Sequence, residues 1–287
     1  MSSTPSEIPA TRRLFDVPYA NLSPAQKLDI YWPEDGVGPF PVILAIHGGA
    51  FKFGDKRDRQ LEPMLAGLAR GYAVVSVNYR MSGEAIFPAL VQDVFAAIRW
   101  VRAHATQYHF DAAKIATWGG SAGGYLSLMA GVGHSVPLFN DLSLGTSSQT
   151  GDVQAVVAWF PPTDFLAMDA QLAASGFAPD AESAHCAAHS PESLILGQQI
   201  TEIPELVRVA NPETYIGPGL PPFFIQHGDA DSIVPFQQSV NFAAKMEAKK
   251  VSLEILPGAG HGDPAFQTPA NIQKVLDFLD LHLAPGG

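Results

Sequence analysis

The pentapeptide Gly119-Gly120-Ser121-Ala122-Gly123 constrains this chain more than any other stretch. It follows a strand-like run over residues 114–118 and precedes a helix-like run over residues 124–130, so it reads as strand, tight turn and helix. A serine flanked by glycines at such a junction sits on a turn too sharp for side chains at its neighbours, and its hydroxyl projects from the end of the sheet. The backbone N–H groups that open the following helix point at the same spot, where the helix dipole favours negative charge. The stretch therefore predicts Ser121 as a nucleophile and the Ala122 amide as a donor to an oxyanion. A turn that only lets a helix pack closely on a strand would use the same small residues, so the surrounding chain has to decide between the two.

Residues 27–33 follow a loose start and alternate polar and apolar positions as an edge strand does. Residues 41–46 are a continuous apolar run of strand length, the mark of a central strand covered on both faces. The run ends in His47-Gly48-Gly49-Ala50-Phe51, whose small residues leave the Gly49 and Ala50 amides free to serve as further oxyanion donors. A plain turn after a buried strand has the same composition. Helical spacing over 58–70, stopped by Gly71, leads to a buried strand over 72–77. Phe87-Pro88 then opens an amphipathic helix to about residue 106. Residues 131–152 read as a surface loop and 154–160 as a strand. From 161 to 221 the chain carries Ala-rich helical pieces broken by Pro179, Pro191 and Pro204, an insertion expected to form a cap or a wall of the substrate pocket. A strand over 222–226, a helix over 235–249, a strand over 251–256 and a helix over 269–283 complete the chain. This alternation predicts an α/β architecture with a doubly wound, mostly parallel sheet in one domain spanning 1–287. The serine turn then lies at a strand C-terminus, where such folds bind ligands.

With 47% apolar and 16% charged residues, the chain can bury a large core. Its net charge of −11, with basic residues scattered apart from a small group at 52–59, argues against nucleic acid as a partner. Cys186 is the one cysteine, which excludes an intramolecular disulfide and a thiolate metal cluster. A lone thiol fits a reducing compartment. Residues 1–13 lack a basic segment leading into an apolar one, and no apolar run reaches bilayer length, so a cytoplasmic protein without a membrane span is expected. Oligomeric state stays open between monomer and homodimer.

A serine hydroxyl needs a base to accept its proton and a carboxylate to orient that base. His227-Gly228-Asp229-Ala230-Asp231 follows one strand and Gly260-His261-Gly262 follows the next, so both reach the sheet edge that carries Ser121. The order Ser121, Asp231, His261 is the one expected of α/β-hydrolases.

These motifs resemble those of α/β-hydrolase serine esterases, of the hormone-sensitive-lipase-like group and more closely of the bifunctional feruloyl and acetylxylan esterase-like group. The resemblance runs from Leu28 to Leu283. It rests on His47-Gly48-Gly49-Ala50, on Asn78-Tyr79-Arg80 with Phe87-Pro88-Ala89 and Asp93, on the elbow at 119–124, and on His227-Gly228-x-x-Asp231-x-x-Val234-Pro235. The acid motif departs from the lipase-like form and matches that of feruloyl esterases and prolyl-oligopeptidase-like enzymes. Ala50 stands where a third glycine is usual, which leaves its amide available but puts a preference for tertiary-alcohol esters in doubt. The resemblance implies a sheet of about eight strands with the insertion after the sixth. It also implies a carboxylesterase for short acyl or aryl esters, acetyl or feruloyl esters of carbohydrate among them, that acts through an acyl-enzyme on Ser121 without a cofactor. An arylformamidase-like or peptidase-like amidase would use the same triad. A non-catalytic receptor on this scaffold is the alternative from another class, although such proteins typically lose a triad member.

Other residues carry less. Arg80 and Asp93 read as a structural ion pair and Glu84 as solvated. His185, Cys186 and His189 fall close together, but no second ligand pair accompanies them and no metal is expected.

Overall fold

The structure, a computed structural model, describes residues 7–283. The N-terminal stretch read for a leader, 1–13, lies partly outside them. Strands β1 (Arg13–Pro18), β2 (Lys27–Tyr31), β3 (Phe40–Ile46), β4 (Ala73–Val77), β5 (Phe110–Gly120), β6 (Ala155–Trp159), β7 (Phe223–Gly228) and β8 (Val251–Leu256) form one sheet in the order β1-β2-β4-β3-β5-β6-β7-β8. The β1–β2 and β2–β4 pairings are antiparallel, and those from β4 through β8 are parallel. The helices are α1 (Glu62–Leu65), α2 (Ala89–Ala103), α3 (Ala105–Tyr108), α4 (Ala122–Val132), α5 (Met168–Ala174), α6 (Pro191–Leu196), α7 (Pro204–Ala210), α8 (Gln237–Lys245) and α9 (Pro269–Leu283). This is the expected α/β-hydrolase arrangement.

The continuous apolar runs follow from a sheet covered on both faces. In β3, Val42, Leu44 and Ile46 enter one core with Val94, Ile98 and Leu126, while Ile43 and Ala45 enter a second with Val275 and Leu279 of α9. Each fully buried Val, Leu or Ile contributes about 2 kcal/mol, so neither face of this strand can be left to solvent. Because the central strands are parallel, the loops after β3, β5, β7 and β8 leave the same edge of the sheet, and the candidate site sits there.

Several elements differ from the expectation. Residues 13–18 are not a loose start but an antiparallel edge strand with a register shift between Leu14 and Val17. The helix expected over 58–70 is a 3₁₀ turn (Arg59–Leu61), one α turn and a second 3₁₀ turn (Ala66–Arg70). Pro63 stands at the start of α1, and Gly67 lies so close to the sheet that a Cβ there would come within 2.6 Å of Ile43. The helix expected to 106 stops at Ala103, and α8 ends at Lys245 where Met246 turns extended. Pro191 and Pro204 start α6 and α7 rather than break helices, since the first turn has no use for the missing N–H.

Candidate active site

Ser121 stands between β5 and α4 with φ 56° and ψ −123°, a conformation that costs a non-glycine residue strain. Its N–H donates to the Trp159 carbonyl at 2.9 Å, and its own carbonyl accepts from Tyr125 N–H at 2.9 Å. The flanking glycines are required by close approach: a Cβ on Gly123 would sit 2.1 Å from the Ile46 carbonyl oxygen, and one on Gly119 2.3 Å from that of Gly123. The packing that forbids side chains beside it is what lifts Ser121 out of the sheet.

The loop after β3 turns through left-handed backbone at Ala50 (φ 52°) and Phe51 (φ 59°). Gly48 N–H donates to Gln60 Oε1 at 2.9 Å, and Tyr79 Oη–H donates to the His47 carbonyl at 2.8 Å. The Tyr79 ring also stacks on His47, with centroids 4.5 Å apart. Burial lowers the His47 pKa, only partly offset by its contact with the Gly48 carbonyl, so this ring under the loop stays neutral. The N–H groups of Gly49, Ala50 and Ala122 have no protein acceptor among the described residues. Unused backbone donors around a serine hydroxyl form what an oxyanion requires.

His261, on the loop after β8, brings Nε2 to 3.0 Å from Ser121 Oγ and Nδ1 to 2.7 Å from Asp231 Oδ2. The carboxylate can only accept, so Nδ1 carries the proton and Nε2 offers a lone pair to the hydroxyl. Asp231 has a fully buried side chain, and its Oδ1 accepts from the Ile233 and Val234 amides at 2.9 Å each. Burial alone would raise its pKa. Hydrogen bonds from His227 and His261 and the charge of both rings outweigh that and hold it below the usual carboxylate range. Thus Ser121, Asp231 and His261, three distant positions in the chain, converge with the Gly49, Ala50 and Ala122 amides at one sheet edge.

The family is legible from the chain as a whole. A model of the BD-FAE family matches residues 28–246. The chain belongs to the BD-FAE family. As a BD-FAE member it is 33% identical over 239 residues to the probable carboxylic ester hydrolase LipM of Mycobacterium tuberculosis, covering 80% of this chain and 51% of LipM. It therefore spans about half the length of that relative. Among solved structures it is similar to a truncated carbohydrate esterase from gut microbiota (33% identity, TM-score 0.83, 97% of this chain and 99% of that one). It is also similar to a bifunctional GH43-CE protein of Bacteroides eggerthii (31% identity, TM-score 0.83, 95% of this chain and 38% of that one). These findings bear out the resemblance to α/β-hydrolase esterases.

A cavity of about 330 Å³ opens beside Ser121 and His261, with Phe53, Met64, Trp159, Phe160, Ile233 and Phe266 among its walls. None of residues 161–221 is among its lining residues. In this BD-FAE chain Phe165 and Met168 instead enter the core, where Phe165 meets Phe51 at 6.0 Å and Tyr125 at 5.5 Å between centroids. Leu172 is buried too. Strand β6 sends its last side chain and the following Phe160 into the cavity, so the wall comes from the sheet and α1 rather than from the insertion.

Three positioning residues escaped the sequence reading. Gln60 holds the loop after β3 through Gly48, and its own amide is oriented by Asp58, which accepts from Gln60 Nε2 at 3.2 Å. His227 is fully buried, bonds Val234 O at 2.9 Å and Ser239 Oγ at 2.7 Å, and lies 3.3 Å from Asp231 Oδ2. His185 bonds the Ile233 carbonyl at 2.8 Å. Arg80 and Asp93 form a buried bidentate pair, with Gln26 donating to the same carboxylate at 2.7 Å, and Glu84 is exposed. His189 contacts the Glu182 carbonyl at 3.0 Å, and among the described residues no group of three or more metal-ligating side chains is gathered. No helix among the described residues is long and apolar enough to cross a membrane.

Proposed function

We propose that this chain is a serine carboxylesterase for short-chain acyl or aryl esters, with Ser121 as nucleophile, His261 as base and Asp231 as its orienting acid. The observation that carries the reading is the unbroken chain Asp231–His261–Ser121, at 2.7 and 3.0 Å, beside three backbone amides without acceptors among the described residues. The esterase and ester-hydrolase names of the relatives support it. His261 Nε2 takes the hydroxyl proton as Ser121 Oγ bonds to the ester carbonyl carbon. The carbonyl oxygen becomes an oxyanion held by Gly49, Ala50 and Ala122. As the tetrahedral intermediate collapses, His261 Nε2–H protonates the departing alcohol and leaves the acyl group on Oγ. Water then enters, gives a proton to Nε2 and repeats the addition, and collapse returns the proton to Oγ with release of the acid. The ionised Asp231 stabilises the imidazolium in both halves.

Acetyl or aryl acyl groups on carbohydrate are the favoured substrates, since they fit a compact apolar cavity and accord with the carbohydrate-esterase names of similar structures. Residues 161–221 form an insertion on a single hydrolase domain. The lone Cys186 supports a reducing, cytoplasmic setting. The test is hydrolysis of p-nitrophenyl acetate beside N-formylkynurenine by the wild type and Ser121→Ala. Ester turnover that vanishes in the variant supports the reading, and preference for the formamide overturns it.

A further inference from the structure

Phe160 stands where a rule of strand geometry is broken. Side chains along β6 alternate between the two faces of the sheet. Val156 and Ala158 enter the core shared with Leu126 of α4, whereas Ala155, Val157 and Trp159 enter the one shared with Phe266. The next side chain should return to the first face. Phe160 instead has φ 39°, in the left-handed region that a bulky residue adopts only under strain, and it joins Trp159 on the second face. Its N–H still donates to the Gln226 carbonyl at 2.7 Å, so the ring is redirected while the chain stays bonded to β7. The redirected ring crosses Gly120, where a Cβ would come within 2.9 Å of Phe160 Cζ. It reaches the imidazole of His261, with centroids 4.7 Å apart and planes at 62°, and Phe266 packs against it at 4.7 Å.

We propose that Phe160 is a positioning residue for the base: its ring is a wall that keeps the His261 imidazole aimed at the reacting oxygens throughout the cycle. The inference rests on the esterase reading above. Its first support is how little else holds His261. The residue sits between Gly260 and Gly262, and a Cβ at Gly258 or Gly262 would meet nothing within 4 Å, so the loop around it is open. Its ring makes two hydrogen bonds, to Asp231 and to Ser121, and the second is lost once Ser121 Oγ bonds to the acyl carbon. From then until the alcohol is protonated, and again while water is activated, the bond from Nδ1 to Asp231 would by itself leave the imidazole free to tilt.

The second support is the strain itself. A ring that only filled the core could follow the alternation of β6 and lie on the first face without a left-handed backbone. Glycine at this position would carry no strain, yet the residue is aromatic, and among the described residues its ring is the one stacked against His261. Backbone strain of this kind persists where the surrounding structure over-determines the position, and such positions gather at active sites.

The test compares the full chain with Phe160→Leu and the longer Phe160→Met, which keep an apolar side chain but no flat ring. Phe242→Leu, at a buried ring of α8 in the other core, controls for lost packing. Kinetics on p-nitrophenyl acetate and butyrate are read beside unfolding midpoints and the downfield proton resonance of His261 Nδ1–H. Both Phe160 variants should lower kcat on the acetate about 10- to 100-fold with KM little changed, the scale of a misaimed catalytic group. Their Nδ1–H resonance should broaden through faster exchange with water. Phe242→Leu should lose stability while keeping its kcat and its resonance. Unchanged kcat in a folded Phe160 variant, a loss confined to KM or to the butyrate-to-acetate ratio, or an equal kcat loss in Phe242→Leu overturns the positioning role and leaves the esterase reading intact. Failure of both Phe160 variants to fold assigns the ring to core packing and overturns the role as well. A wild type inert to both esters overturns the esterase reading and the role with it.

Discussion

The Ser121 N–H donates to the Trp159 carbonyl at 2.9 Å, so the strained position of Ser121 is held by its backbone and not by its hydroxyl. Ser121→Ala should therefore keep the fold while ester hydrolysis falls about 10⁴-fold or more. Unfolding midpoints and p-nitrophenyl acetate kinetics, measured side by side, check both halves. A variant that retains a tenth of its activity places the nucleophile elsewhere.

Asp229 and Asp231 stand two residues apart and face different partners. Asp231 orients His261, whereas Asp229 Oδ1 accepts the Gly258 N–H at 2.6 Å and ties the acid loop to the turn after β8. Asp231→Asn keeps an oxygen for the Ile233 and Val234 amides but favours the wrong His261 tautomer, so kcat should fall about 10³- to 10⁴-fold. Asp229→Ala should cost about 1 kcal/mol of stability with kcat changed far less. Comparable kinetic losses from the two, with folding intact, would reverse the assignment.

Gln60→Leu removes the acceptor of the Gly48 N–H at nearly constant volume. The oxyanion loop then loses a hydrogen bond at its root while its donors remain. The expected loss is in kcat, up to about 10²-fold and so no greater than removal of a direct donor, with KM little changed. A fall in KM-linked binding with kcat intact would make Gln60 a wall of the cavity only.

The sequence was most informative where covalent geometry leaves few choices. A glycine-flanked serine after a strand and the order Ser121, Asp231, His261 point to one edge of a parallel sheet, and the structure brings these three side chains together there. Residues acting through a neighbour were not. Gln60 lies in a stretch whose apolar spacing suggests an ordinary helix, and nothing in that spacing tells that its amide turns back to Gly48 across a broken helix. His227 stands inside the acid motif, yet only burial between Ser239 and Val234 reveals its contact with Asp231. The edge strand β1 was missed because its partly exposed residues carry no alternation. Phe165, Met168 and Leu172 of the insertion pack into the body rather than line the cavity beside Ser121, a distinction the sequence does not carry because an apolar side chain that lines a pocket and one that fills a core look alike.

His185 and Glu192 form a buried ion pair under the acid loop. Burial pulls the His185 pKa down, but the Glu192 carboxylate, the Ile233 carbonyl and nearby Asp169 together raise it above 6.5. A group raised in the folded state stabilises fully below its unfolded value and loses that contribution as pH rises through the folded one. Stability should therefore decline on the alkaline side of pH 6.5. Glu192→Gln should lower stability by about 3 kcal/mol at pH 6 and shrink the alkaline decline. Urea midpoints at pH 6 and 9 for both proteins read this out, and an unchanged decline in the variant assigns it to another group.

Acyl-chain selectivity divides the two sets of apolar residues. Met64 is buried on α1 and faces the cavity beside Ser121, whereas Phe165 is buried in the insertion and faces Phe51 and Tyr125. Both substitutions to alanine remove core contacts, so both should destabilise, by about 2–5 kcal/mol for Met64 and about 3–5 kcal/mol for Phe165. Only the first lengthens the space open to an acyl group. Met64→Ala should raise kcat/KM for p-nitrophenyl octanoate relative to the acetate by about 10-fold and at most about 200-fold, the range that a few methylenes in an apolar pocket can command. Phe165→Ala should leave that ratio unchanged while its unfolding midpoint drops. If Phe165→Ala shifts the ratio as far as Met64→Ala does, the insertion governs acyl length after all, because the Phe51 side chain behind Ala50 transmits its packing to the cavity.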